Sequence, residues 1–282
     1  MPNFGYHLAR LNGYTRRRIY HALLPAIVRR KMNSARAGRT VAMEVFAYSG
    51  EATLPEQVAS IRSFVRHVGR PKRFTVVSDG SHSTRSVRHL QRIDPVVSVR
   101  LSAPLPPSDL PEKFVHYLTA HPTGKQLALI MSLPADGPAL YIDSDVLFFA
   151  GASDLALRAA VHDAPAYYLG DCQFSGDAQI LHDTSEEKKP VNTGVLLLFE
   201  KLDWSLSIQR FLELDGDPNF FTNQTMTHLA MHANRARALD PTKYVLQLDD
   251  QFVYRDQYAG AALALRHYVN PVRHKFWTSL RQ

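Results

Sequence analysis

Two aspartates separated by one serine, Asp143–Ser144–Asp145, stand between apolar runs, Ala139–Ile142 before them and Val146–Phe149 after. In an extended segment residues i and i+2 point to the same side, roughly 6–7 Å apart. Carboxylates held that close in an apolar setting repel and raise each other's pKa. A divalent cation between them removes the repulsion, and hard oxygen donors favour Mg²⁺ or Mn²⁺ over zinc. The bland alternative is a surface turn with solvated acids. Placement at the end of a buried-type strand in mid-chain favours the metal.

Other chemistries fit less well. Phosphatases of the haloacid dehalogenase type carry such a pair after the first strand, whereas here three predicted strands precede it. Polymerase-type nucleotidyltransferases need a Gly-Gly or Gly-Ser signal just upstream, which residues 124–138 lack. Gly124–Lys125 is not a phosphate-binding P-loop, because Thr119 stands where the earlier glycine belongs. Neither a G-x-S-x-G elbow nor a G-x-G-x-x-G run is present. His228 and His232 share a helix face at i, i+4, but without a nearby glutamate or third ligand they make a weak zinc site.

The elements that must position the acids can be read from periodicity. Short apolar runs at Val41–Ala47, Phe74–Val77, Val96–Leu101, Ala139–Ile142 and Val195–Phe199 read as strands. Leu54–Val68 reads as a helix with Leu54, Val58, Ile61, Phe64, Val65 and Val68 on one face, and Lys125–Leu133 as a second, ended by Pro134. Leu206–Leu214 and Phe220–Met231 also read as helices, with a polar loop across 171–193 and short apolar pieces at Tyr244–Leu248 and Ala261–Leu265. Strands alternating with helices predict an α/β domain with a mainly parallel sheet covered on both faces. In such sheets ligands sit at the carboxyl ends of the strands, where the acid pair falls.

A chain of 282 residues, 45% hydrophobic and 21% charged, is neither disordered nor low in complexity. One cysteine, Cys172, excludes an internal disulfide framework and points to a reducing compartment. No apolar run approaches the roughly 20 residues of a spanning helix, and arginines interrupt every apolar stretch near the N-terminus, unlike a secretory signal. The formal charge of +7 is concentrated: residues 1–40 hold nine basic side chains (Arg10, Arg16, Arg17, Arg18, Arg29, Arg30, Lys31, Arg36, Arg39) and no acid. That leaves 24 basic and 26 acidic side chains in residues 41–282, a net of −2. Leu8, Leu11, Ile19, Leu23, Leu24, Ile27 and Val28 recur between these arginines at near-helical spacing. Such a basic amphipathic appendage suits peripheral contact with an anionic membrane, or equally a helix packed on the domain with its arginines in solvent. Nucleic acid is disfavoured, because the body lacks a basic stripe with interleaved aromatics.

The order of these signals resembles the family 8 glycosyltransferases, the group of glycogenin and the bacterial lipopolysaccharide galactosyl- and glucosyltransferases. The resemblance spans residues 41–277: a strand ending in D-x-D, then Asn192–Thr193–Gly194–Val195–Leu196–Leu197–Leu198, a Gln-bearing helix, and a late His267–Tyr268. It implies the GT-A fold over 41–282, a Rossmann-like nucleotide-sugar-binding domain. It also implies retaining transfer of a hexose from a UDP-sugar to a glycan or lipid-linked saccharide, with Mn²⁺ or Mg²⁺. By motif, Asp143, Asp145 and His267 would hold the metal. Arg273 or Lys275 would hold the diphosphate, since Asn270 and Phe276 depart from the family's pattern of Gly and Pro and the spacing is longer. Tyr48 and Ser49 fall where the family cradles the nucleoside, Ser144 lies within the D-x-D, and Lys125, Asp171, Asn192 and Gly194 fall where it contacts the donor. Asn223–Gln224 matches the family's D-Q pair with Asp replaced by Asn, and a neutral amide cannot be a strong nucleophile. The resemblance then favours front-face return, with Gln224 supplying a dipole. A cytoplasmic enzyme, peripheral to the inner face of the membrane, is the expectation. Two other classes remain: a metal-dependent phosphoryl-group enzyme using the same acid pair, and a nucleotide-sugar-binding protein with little catalysis.

Overall fold

Consecutive apolar residues in the central strands divide between two cores, because side chains of a strand alternate sides. A computed structural model describes residues 4–32, 38–107, 109–134 and 136–280. Helices α1 (Phe4–Ala22) and α2 (Leu24–Ile27) precede β1 (Thr40–Ser49), α3 (Leu54–His67), β2 (Arg70–Ser78), α4 (Thr84–Gln91) and β3 (Val97–Arg100). Then come α5 (Glu112–Ala120), α6 (Pro122–Met131), β4 (Ala139–Asp143), β5 (Val146–Phe148), α7 (Ser153–Arg158), β6 (Ala166–Gly170) and β7 (Val191–Leu198). The chain closes with α8 (Ser205–Leu212), α9 (Thr222–Ala233), β8 (Arg237–Ala238), β9 (Tyr244–Val245), β10 (Leu265–His267) and α10 (Phe276–Ser279).

Seven strands form a sheet in the order β3-β2-β1-β4-β7-β6-β8. The sheet is mostly parallel: β1 pairs in parallel with β2 and β4, β2 with β3, and β6 with β8. β7 alone runs antiparallel to both its neighbours, β4 and β6. Val45, Ala47, Leu140, Ile142, Val195 and Leu197 pack into one core, while Phe46, Tyr141, Leu196 and Leu198 pack into the other with α6 and α9. Burial on both faces explains why these strands read as unbroken apolar runs. A smaller sheet, β5-β10-β9, carries a third core in which Leu147, Phe149, Tyr268 and Trp277 meet.

The described part of the basic segment is helical over Phe4–Ala22 and Leu24–Ile27 and docks on the domain. Ala9 and Gly13 face inward, and a side chain at Gly13 would overlap the backbone carbonyl of His274. Arg17 clasps Glu56 of α3 at 2.5 and 3.1 Å, and the Tyr20 ring lies 5.1 Å from that of Trp277. Arg36 falls outside the described residues. Among the described residues no helix is long and apolar enough to cross a membrane.

Candidate active site

The acids owe their position to the end of β4. Its last residue, Asp143, pairs with Tyr48 at the end of β1, and a two-residue turn leads into β5. β5 pairs antiparallel with β10, which sets His267 opposite Val146 and so beside both acids. Carboxylate oxygens of Asp143 and Asp145 and a nitrogen of His267 all lie within 4.8 Å of one another. The His267 Nε2 is 3.0 Å from Asp145 Oδ1 and 3.6 Å from Asp143 Oδ2.

His267 and Asp143 are each held from behind. The His267 Nδ1–H donates to Asn192 Oδ1 at 2.9 Å, which fixes the ring and aims Nε2 at the acids. Gly194 makes room: a Cβ there would overlap the imidazole. The Asn192 amide is oriented in turn by the Gly194 N–H at 2.9 Å and by donating to Asp171 Oδ2 at 3.1 Å. Asp143 Oδ1 accepts from the Tyr141 hydroxyl at 2.8 Å and from Gln126 Nε2 at 3.1 Å. The Asn223 amide donates to Gln126 Oε1 at 2.9 Å.

Burial shifts the two carboxylates in different directions because their partners differ. For Asp145, burial alone would raise the pKa, but His267 and the Arg273 guanidinium, 2.5 Å from Oδ2, pull it down to about 2. Asp143 is raised, chiefly by burial and further by the Asp145 charge, although His267 opposes the shift. His267 is raised, since the two acids outweigh its burial. Two acids thus share one buried imidazole and one half-exposed guanidinium. Two carboxylates with one imidazole are a donor set that suits a hard or borderline dication.

These groups line a cavity of about 390 Å³ at the carboxyl edge of β4, a size typical of small-ligand sites. Asp171, Asn192, Asn223, Gln224 and Arg273 also reach it. Gln224 Nε2 donates to the Ser175 carbonyl at 2.6 Å and to Asp171 Oδ2 at 3.4 Å. Its Oε1 lies 3.5 Å from both Asn192 Nδ2 and Thr193 Oγ1. A hydrogen-bonded chain therefore runs from the acid pair through His267, Asn192 and Asp171 to Gln224.

No family model and no curated protein matches this chain. Solved structures do. A galactosyltransferase, LgtC, in complex with donor and acceptor sugar analogs superposes with a TM-score of 0.56 at 14% identity, over 84% of this chain and 95% of that one. Mouse xyloside xylosyltransferase 1 gives 0.52 at 11% identity, over 83% and 99%. The glycosyltransferase GlyE of Streptococcus pneumoniae gives 0.52 at 15% identity, over 86% and 61%.

The fold is that of the GT-A glycosyltransferases.

Within this GT-A sheet some expected contacts are replaced by neighbours. Arg273 faces the cavity, whereas Lys275 is buried, bonded to Asp250 Oδ2 at 3.0 Å and to the Arg255 carbonyl at 2.8 Å. Of the two cations considered for a diphosphate, only Arg273 is at the site, because Asp250 and Asp256 draw Lys275 and Arg266 into an interior ion cluster. Lys125 does not line the cavity; the next residue on α6, Gln126, does. Ser144 is buried in the turn, and Gly194 acts by its lack of a side chain. Tyr48 and Ser49 end β1 outside the cavity wall, with the Ser49 hydroxyl 3.2 Å from His82 Nε2. The Tyr48 hydroxyl is buried with no hydrogen-bond partner among the described residues. His228 and His232 both bond backbone carbonyls, of Glu186 and Lys189, which makes them struts rather than zinc ligands. Sequence reasoning missed Gln126, Tyr141, Phe220 and Phe221. The D-x-D strand itself contained Tyr141, two residues before Asp143 and hence on the same side of the strand.

Proposed function

We propose that this protein is a metal-dependent retaining glycosyltransferase of the family 8 type, moving a hexose from a UDP-sugar to a saccharide or lipid-linked acceptor. The observation that carries the reading is the Asp143–Asp145–His267 cluster at the carboxyl edge of a GT-A sheet, within one cavity with Arg273 and Gln224. The donor set fits Mn²⁺ or Mg²⁺, which, when bound, would neutralise charge on a departing nucleoside diphosphate. Arg273 adds a guanidinium suited to the same phosphates. Asn192, Asp171 and Gln224 offer amide and carboxylate groups to donor-sugar hydroxyls, and the exposed rings of Phe220 and Phe221 flank the mouth where an acceptor would enter.

Retention would follow front-face return. The bond from the anomeric carbon to the diphosphate oxygen breaks, and the acceptor oxygen bonds to the same face. The acceptor proton passes to the departing phosphate. Asn223, an amide donating to Gln126, cannot serve as a nucleophile, and Gln224 supplies a dipole beside the anomeric centre. The basic segment at 1–40 would hold the enzyme against the anionic inner face of the cytoplasmic membrane.

Incubation with UDP-glucose or UDP-galactose, Mn²⁺ and a panel of saccharides tests the reading. UDP release above a chelated control is expected. Asp145→Asn should lower turnover about 100-fold or more, since a lost dication removes several kcal/mol of charge stabilisation. Normal turnover in that variant, or phosphate release without sugar transfer, would contradict it.

A further inference from the structure

Helix α6 brings Thr123 and Gln126, three positions apart and hence on one face, to the cavity beside the acid pair. Packing fixes that rotation: Leu127 and Ile130 are buried in the core, and a side chain at Gly124 would overlap the Tyr117 carbonyl of α5. Gln126 Nε2 donates to Asp143 Oδ1 at 3.1 Å and to the Tyr141 hydroxyl at 2.7 Å. That hydroxyl donates in turn to the same Asp143 Oδ1 at 2.8 Å. An ionised carboxylate only accepts, so the nitrogen end of this amide must face it. The oxygen end is left for α9, where Asn223 Nδ2 donates to Gln126 Oε1 at 2.9 Å.

The relay therefore has one polarity from end to end: a donor at 223, an acceptor and then a donor at 126, and a carboxylate at 143. With two donors on Oδ1, Asp143 is left to offer Oδ2, the oxygen 3.6 Å from His267 Nε2, to an ion. The asparagine that departs from the family's D-Q pattern gains a physical reason here. An aspartate at 223 would set acceptor against acceptor, and Gln126 could serve it only by turning its own oxygen upon Asp143.

We propose that Gln126 is a positioning residue of the metal site, holding Asp143 Oδ2 toward a dication through a relay that requires an amide donor at 223. The proposal rests on the dication reading given above and assigns Gln126 no step of sugar transfer. Asn223 then supports the metal from α9 through Gln126, which is a different task from that of a nucleophile.

The test is titration of Mn²⁺ into the full chain without any sugar nucleotide, read by the electron paramagnetic resonance of the free ion. Thermal unfolding of the metal-free protein is run beside it, to show that each variant folds. Gln126→Met keeps the length of the side chain and removes both ends of the amide, and should lower Mn²⁺ affinity about 10–100-fold. Asn223→Leu leaves Gln126 without its orienting donor and should lower it about threefold or more. In the Gln126→Met background, Asn223→Leu should change affinity less than about twofold, because the relay is already broken. A merely structural role would instead lower metal-free stability and leave the affinity alone. Equal Mn²⁺ affinity in folded Gln126→Met and the native chain would overturn the proposal and leave the metal site standing. Losses from the two substitutions that simply multiply would overturn the relay. Absence of Mn²⁺ binding by the native chain would overturn the dication reading and the proposal with it.

Discussion

A methyl group at position 194 would occupy space that the His267 imidazole fills, and the Asn192 carbonyl that anchors this ring also accepts the Gly194 N–H. Gly194→Ala should therefore push the ring away from the acids. The expected result is a 10–100-fold loss of Mn²⁺ affinity, of the size seen when a supporting partner of a ligand is lost, read by titration of the metal. A second cost of about 1–3 kcal/mol in stability should follow from overpacking β7. Unchanged metal affinity would mean that the imidazole does not serve the site. At this scale the sequence was informative where spacing along one strand sets geometry, as with Asp143, Asp145 and the Asn192–Gly194 pair. It could not choose between Arg273 and Lys275. That choice is made by Asp250, 25 residues before Lys275, which captures its ammonium in the interior. Nor could it show that Gln126 rather than Lys125 turns toward Asp143, since the rotation of α6 is fixed by packing.

Among the elements, α1 packs on the domain through a small residue, Gly13, which lies against the backbone carbonyl of His274. Gly13→Val should force the helix off the carbonyl of His274, and its separation from Tyr20 and Trp277 would follow. We expect a stability loss of about 1–3 kcal/mol, read as a lowered midpoint in urea. An unchanged midpoint would show that α1 contributes nothing to the folded domain. The central strands were legible because burial on both faces leaves apolar runs. The direction of β7 was not: an antiparallel strand buried on both sides has the same composition as a parallel one, and only its partners, β4 and β6, reveal it. β7 also begins at Val191 rather than at Val195, so the Asn192–Thr193–Gly194 stretch is strand, fully buried despite its polar residues. Hydrogen bonds to His267, Asp171 and Gln224 supply what burial would otherwise cost these amides.

For the whole molecule, the sheet brings side chains from β4, β7, α6, α9 and the segment after β10 to one edge, and the charge there balances only in part. Two acids face one imidazole and one guanidinium, and the rest of the wall holds a third carboxylate, Asp171, several amides and apolar side chains such as Phe220, Leu246 and Val269. We propose that Asp143, Asp145 and His267 take up a dication that in turn recruits a nucleoside diphosphate. Calorimetric titration of UDP into the protein tests it most directly, first with Mn²⁺, then with chelator, then with Asp145→Asn. Measurable binding is expected with Mn²⁺, a loss of about tenfold or more with chelator, and a similar loss in the variant even when Mn²⁺ is present. Equal affinity for UDP in all three titrations would contradict it.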